Sequence, residues 1–131
     1  MFVVMYKCFL IFFGSGIGGV CRYALSGWVQ RFSDGRFPAG TLAVNVIGCL
    51  LIGLLTGGFS GRLLVREEYR IALIVGILGG FTTFSAFGME TFALLNDGQF
   101  ARAAVNVALS VGAGLTAVWI GYRLAEHWLG A

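Results

Sequence analysis

The ionic residues of the chain fall in clusters, separated by long uncharged runs. Residues 8–30 hold a single charge, Arg22, while 37–61, 71–89 and 103–122 hold none. A helix of roughly 20 apolar residues crosses about 30 Å of hydrocarbon, and each run is near that length. The pattern predicts an all-α membrane protein, one domain over residues 1–131 with four transmembrane helices at approximately 4–28, 39–60, 71–95 and 101–125. A membrane β-barrel would alternate over segments of about ten residues, and Leu50-Leu51-Ile52 and the run 71–78 do not alternate. The first run is expected to stay in place rather than be removed as a signal peptide. It continues past Gly14–Gly19, and its basic residue, Arg22, lies inside it rather than in front.

Composition strengthens the membrane reading. The 131 residues are 58% hydrophobic and 11% charged, with 21 glycines and one proline. An average soluble domain carries about 25% charged residues, so these few charges cannot coat a surface facing water. The net charge of +3 comes from short juxtamembrane clusters and forms no basic tract with aromatic interleaving, so nucleic-acid binding gains no support. Lys7, Arg62, Arg66, Arg70 and Arg123 fall on one side of a four-span chain, and Arg31, Arg36 and Arg102 on the other. That bias is too small to orient the protein, so both orientations are open. Cys8, Cys21 and Cys49 sit in apolar spans without metal-ligand spacing and are expected to be small packing residues. The single histidine, His127, stands beside Trp128 as an interfacial anchor.

The third run carries the most information. It reads Gly76-Ile77-Leu78-Gly79-Gly80-Phe81-Thr82-Thr83-Phe84-Ser85-Ala86-Phe87-Gly88-Met89-Glu90. Adjacent glycines followed by two β-branched threonines are costly inside a spanning helix, where each Gly loses about 1 kcal/mol against Ala. They predict a break near the middle of the third helix. Backbone freed at membrane depth must line a cavity or find partners, since unsatisfied groups in hydrocarbon cost several kcal/mol each. The carbonyls ending the first half-helix suit a cation, and the amides opening the second suit an anion. Phe84 and Phe87 project from one face of the second half-helix, with the hydroxyls of Thr83 and Ser85 beside them. Such a pair can simply face lipid or core. Turned edge-on, the rings also offer a small anion their positive rims without a full charge.

The run GGFTTFSAF resembles the signature of the Fluc/CrcB fluoride channels. Gly18-Gly19 with Arg22-Tyr23, the block from Pro38 to Asn45, and Glu90 after the third-span motif extend the likeness over nearly the whole chain. The resemblance implies a fluoride-selective passive exporter of the inner membrane, assembled as an antiparallel, dual-topology homodimer with two pores. It further implies a structural Na+ ion at the dimer centre, held by backbone carbonyls that correspond to Gly79 and Thr82 of each subunit, and pore-lining rings at Phe84 and Phe87. No organic cofactor is implied.

Other polar residues inside the spans have a structural and a functional reading side by side. Arg22 costs at least about 2.5 kcal/mol at the bilayer centre. It can snorkel to the interface, or raise the anion concentration in a vestibule, as its place in the family's block implies. Thr41 and Asn45 share a helical face suited to interhelical hydrogen bonds; the resemblance instead puts the Asn45 amide in the pore, donating to a passing anion. Glu90 is either an interfacial acid or, by resemblance, a polar contributor near the pore. Asn106 and Ser110 share a face that Thr116 does not, and Ser110 is expected on the polar track. At Asn106 many family members carry Tyr. Gly14-Ser15-Gly16-Ile17-Gly18-Gly19 fits a GxGxxG pattern but lacks the strand and helix context of a dinucleotide site. With Gly53 and Gly57, these glycines are expected to allow close helix crossings.

Two other functions compete with a fluoride channel. A small multidrug-type exporter needs a membrane carboxylate to exchange protons for a cation, and only Glu90 comes near. A non-transporting assembly subunit would use the glycines for packing alone. An enzyme is the least expected class, because no nucleophile-and-base or metal-ligand set can be assembled from one interfacial His, the cysteines and a single membrane acid.

Overall fold

The computed structural model describes residues 2–60 and 65–129, and every regular element among them is helical. Arg62, counted above among the flanking charges, lies outside the described residues. Helix α1 runs Phe2–Gln30, α2 Ala39–Ser60, α3 Glu67–Ile71, α4 Gly79–Phe81, α5 Phe84–Asn96 and α6 Phe100–Leu129, with a π-helical stretch, Ala72–Leu78, between α3 and α4. Four helical segments, Phe2–Gln30, Ala39–Ser60, Glu67–Asn96 and Phe100–Trp128, are long and apolar enough to cross a membrane. Large apolar side chains such as Phe12, Val20, Phe84 and Leu115 point outward. That exposure suits a hydrocarbon solvent and would be expensive in water.

The turns hold the spans in antiparallel succession. At the end of α1, the Gln30 side chain donates to the Phe37 carbonyl at 2.9 Å and accepts from the Gly40 amide at 3.0 Å, so it satisfies an otherwise unpaired amide of the first turn of α2. Gly35 and Gly98 close the two tight turns with φ of +76° and +71°, values that favour glycine. Asp34 accepts the Arg36 amide at 3.0 Å and faces Arg102 at 3.8 Å. The amide first, and the guanidinium after it, hold this carboxyl below its ordinary value. At the opposite membrane face Lys7 pairs with Glu67 at 2.6 Å, fixing the start of α1 beside the start of the third span.

Helix crossings rest on missing side chains. A Cβ at Gly53 would fall on the Val118 carbonyl, and one at Gly121 on the Leu50 carbonyl, so α2 and α6 touch backbone to backbone. A Cβ at Gly18 would fall on the Ile77 carbonyl, and one at Gly80 on the Ser15 carbonyl. Gly16 and Gly19 face open space, so only part of the first-span glycine run serves close packing.

Two expectations need correction. Gly79 is helical, with φ −62° and ψ −37°, and Gly80 lies within α4. The glycine pair therefore does not interrupt the helix; Gly80 lets the third span cross α1. Extended dihedrals occur instead at Thr82 (φ −83°, ψ 158°) and Thr83 (φ −151°, ψ 111°). β-branched residues tolerate that region well. Secondly, Cys8 and Cys21 are exposed rather than packed, because each lies on the outer face of α1. Cys49 alone is partly buried, against α6.

Candidate functional site

One face of α2 organises the site. Thr41, Asn45 and Gly48 recur at helical spacing, and all three meet the third span. Thr41 Oγ1 donates to Glu90 Oε1 at 2.6 Å. Asn45 Nδ2 donates to the Thr83 carbonyl at 3.0 Å, while Asn45 Oδ1 accepts the Thr83 amide at 2.8 Å. A Cβ at Gly48 would fall on the Thr82 methyl group, so the bare backbone there admits that threonine. Thr83 thus gains from Asn45 of α2 hydrogen bonds for both its amide and its carbonyl, as burial in hydrocarbon demands.

Around Thr82 and Thr83 the backbone presents both polarities. The amides that would close helical bonds on the Gly79 and Thr82 carbonyls are diverted: that of Thr83 to Asn45, and that of Ala86 to Thr83 Oγ1 at 3.2 Å. No backbone amide among the described residues donates to either carbonyl. Described His, Cys, Asp and Glu residues form no cluster of three or more that could hold a metal. On the other side, Thr83 caps α5 through Ala86, leaving the first amides of α5, at Phe84 and Ser85, without helical acceptors.

Seven of the expected site residues line one cleft of about 380 Å³: Asn45, Gly79, Thr82, Thr83, Phe84, Phe87 and Ser110. The two rings lie 5.5 Å apart, tilted by 45°, and Phe84 is 83% exposed at the rim. Ser110 brings a hydroxyl that bonds to no protein group among the described residues, and one N–H of the Asn45 amide also remains free after Thr83 is served. Thr82 Oγ1 is spent on the Leu78 carbonyl at 2.9 Å.

Arg22, Ser85 and Glu90 line a second cleft of about 700 Å³ together with Ser26 and Thr41. Thr83 is the residue common to both clefts. Its hydroxyl and that of Ser85 sit 3.2 Å apart, so a polar contact joins the two spaces. Glu90 Oε2 is buried without a hydrogen-bond partner among the described residues, which marks this cleft as a place where water or another donor is needed.

Asn106 belongs to neither cleft. It is 1% exposed, and its Nδ2 donates to Thr91 Oγ1 at 2.9 Å, which in turn donates to the Phe87 carbonyl at 2.7 Å. This chain ties α6 to the turn of α5 that carries Phe87. Sequence reasoning missed Gly48 and Thr91 as supports of the site. The spacing of Thr41, Asn45 and Gly48 was the signal for Gly48; Thr91 had none.

Comparison with known proteins places the chain in a family. Residues 9–122 match the model of a family described as CrcB-like protein, Camphor Resistance (CrcB). A protein of Methylobacillus flagellatus is 45% identical over 93% of this chain and 96% of its own length, and bears the name fluoride-specific ion channel FluC. Proteins of the same name from Geobacter metallireducens and Geobacter sulfurreducens are 50% and 49% identical, each over 85% of this chain and 90% of its own length. A family of ion channels calls for no catalytic apparatus. The chain belongs to the CrcB-like family.

Proposed function

We propose that this protein is a fluoride-selective channel of the inner membrane that lets fluoride leave the cell passively. The observation that carries the reading is the convergence of Phe84, Phe87, Ser110 and Asn45 on one cleft, in a chain whose relatives at 45–50% identity are named fluoride-specific channels. The extended Thr82–Thr83 pair is the functional break of the third helix. Two copies inserted in opposite orientations form the working unit, as an antiparallel dual-topology homodimer. The open side of the cleft and the exposed Phe84 support this, since a second copy would enclose them.

Fluoride must exchange hydration for protein contacts that are good enough to admit it and weak enough to release it. Ring edges, hydroxyls and one amide N–H are donors of that kind, each partial and none a full counter-charge. Arg22 draws anions into the wider cleft by its field. Thr83 and Ser85 pass them to the narrower one, where Phe84, Phe87 and Ser110 take over. Asn45 holds the Thr83 backbone in place and has one N–H left for the ion. Glu90 fixes Thr41, and its free oxygen keeps a water or donor beside the path.

The unpartnered Gly79 and Thr82 carbonyls fit a hard monovalent cation, which prefers oxygen ligands. A sodium ion held by them from each subunit would supply a fixed positive charge at the dimer centre.

Purified protein in liposomes, with fluoride and chloride efflux followed by ion-selective electrodes, tests the proposal. Rapid fluoride loss with chloride retained is expected. Equal release of both anions, or proton-driven uptake of an organic cation in place of anion release, overturns it.

A further inference from the structure

At the membrane face where Lys7 meets Glu67, an apolar groove of about 470 Å³ runs along α2 and α6. Leu54, Leu55 and Phe59 form one wall and Leu124 and Trp128 the other, with Gly58 opening the space between them. The groove starts at interfacial depth, since Phe59 is the last residue but one of α2 and Trp128 ends the fourth span, and it descends along two hydrophobic helices. None of the residues argued to guide fluoride lines it.

A cation stands at its mouth. The Arg70 guanidinium lies 5.9 Å from the centre of the Phe59 ring. The other described cations of this face have acidic partners: Lys7 with Glu67, Arg66 with Glu68 and Arg123 with Glu126. Arg70 is exposed and makes no ion pair among the described residues. A guanidinium held over a ring at this distance keeps its N–H groups free, and their fork matches phosphate oxygens.

We propose that this groove binds an anionic phospholipid, with one acyl chain between α2 and α6 and the phosphate on Arg70. Apolar walls alone would accept any acyl chain. The unpaired guanidinium selects a headgroup of net negative charge over a zwitterionic one, whose own amine competes for the phosphate. A soluble anion would leave the walls uncovered, and a basic segment of protein would be repelled by Arg70. Trp128 suits the boundary between chain and headgroup, where its ring is apolar and its N–H remains wet.

The test uses the full-length protein with Trp28→Phe and Trp119→Phe, which leaves Trp128 as the one fluorophore of its type. It is reconstituted in phosphatidylcholine and titrated with phosphatidylglycerol carrying brominated acyl chains, or with equally brominated phosphatidylcholine. Brominated phosphatidylglycerol should quench Trp128 at about fivefold lower mole fraction, the preference that one basic residue near a membrane surface supplies. Arg70→Gln should abolish the preference and Arg70→Lys should restore most of it, with fluoride efflux unchanged in both. Should Arg70→Gln fail to assemble, Arg70→Met, which keeps an apolar stem and removes the charge, carries the same expectation. Equal quenching by the two lipids, or a preference that survives loss of the guanidinium, overturns the proposal. Absence of quenching by either lipid also overturns it, since protein would then cover the groove.

Discussion

Replacing Asn45 with alanine strips Thr83 of both its backbone partners. The bonds lost are those at 3.0 Å to the Thr83 carbonyl and 2.8 Å from the Thr83 amide. A buried polar group left unpaired costs about 1–3 kcal/mol, so two cost about 2–6 kcal/mol. The cleft beside Thr83, about 380 Å³ in volume, can admit water to the orphaned groups, which places the loss near the lower end, at about 2–3 kcal/mol. Thermal unfolding in detergent should show a midpoint several degrees lower. Hydrogen exchange gives the sharper reading: 2 kcal/mol corresponds to about a 30-fold faster exchange of the Thr83 amide. The Thr82 amide, bonded to the Leu78 carbonyl at 2.9 Å, should be far less affected. Thr41→Val, which removes the neighbouring bond to Glu90, should leave Thr83 exchange as it was. An unchanged midpoint together with unchanged Thr83 exchange would refute the role given to Asn45, and equal acceleration at Thr82 would point to general loosening instead.

Gly80→Ala should destabilise the protein by about 1–3 kcal/mol, because its Cβ meets the Ser15 carbonyl, whereas Gly79→Ala should be neutral within about 1 kcal/mol, its nearest obstacle being the Ile74 carbonyl at 3.8 Å; parallel thermal unfolding of the two variants checks this. Asn106→Ala should cost about 1–3 kcal/mol, since it opens a cavity at a residue 1% exposed and removes the bond to Thr91, and chemical unfolding measures the difference. Asp34 has a depressed folded-state value, so its stabilisation of the 31–38 turn is present above about 3.8 and is lost as pH falls through the lower folded value. The stability gap between the protein and Asp34→Asn should accordingly persist at neutral pH and close only in acid.

The four spans were legible because hydrocarbon tolerates so little charge that Arg22 was the only ion inside the long runs of the sequence. Helix-length uncharged stretches leave few alternatives. The glycines were harder to read, since a residue without a side chain marks equally a turn, a break or a crossing. Gly79 and Gly80 suggested an interruption, yet both are helical and the extended dihedrals fall at the two threonines that follow. Only the position of Ser15 on another helix distinguishes these meanings. Asn45 and Thr41 were visible as one polar face, but their partners, 38 and 49 residues away in the chain, could not be read from periodicity. Asn106 and Ser110 shared a face on paper and part company in space: one is sealed against Thr91 and the other opens into the cleft.

Fluoride efflux from liposomes containing Phe84→Ile or Phe87→Ile, at protein levels matched to the unaltered chain, bears most directly on the path through the cleft. Each variant keeps an apolar side chain but loses the positive ring edge, so each should assemble normally and release fluoride at a small fraction of the original rate. Unaltered rates in both variants would contradict a path that depends on the rings.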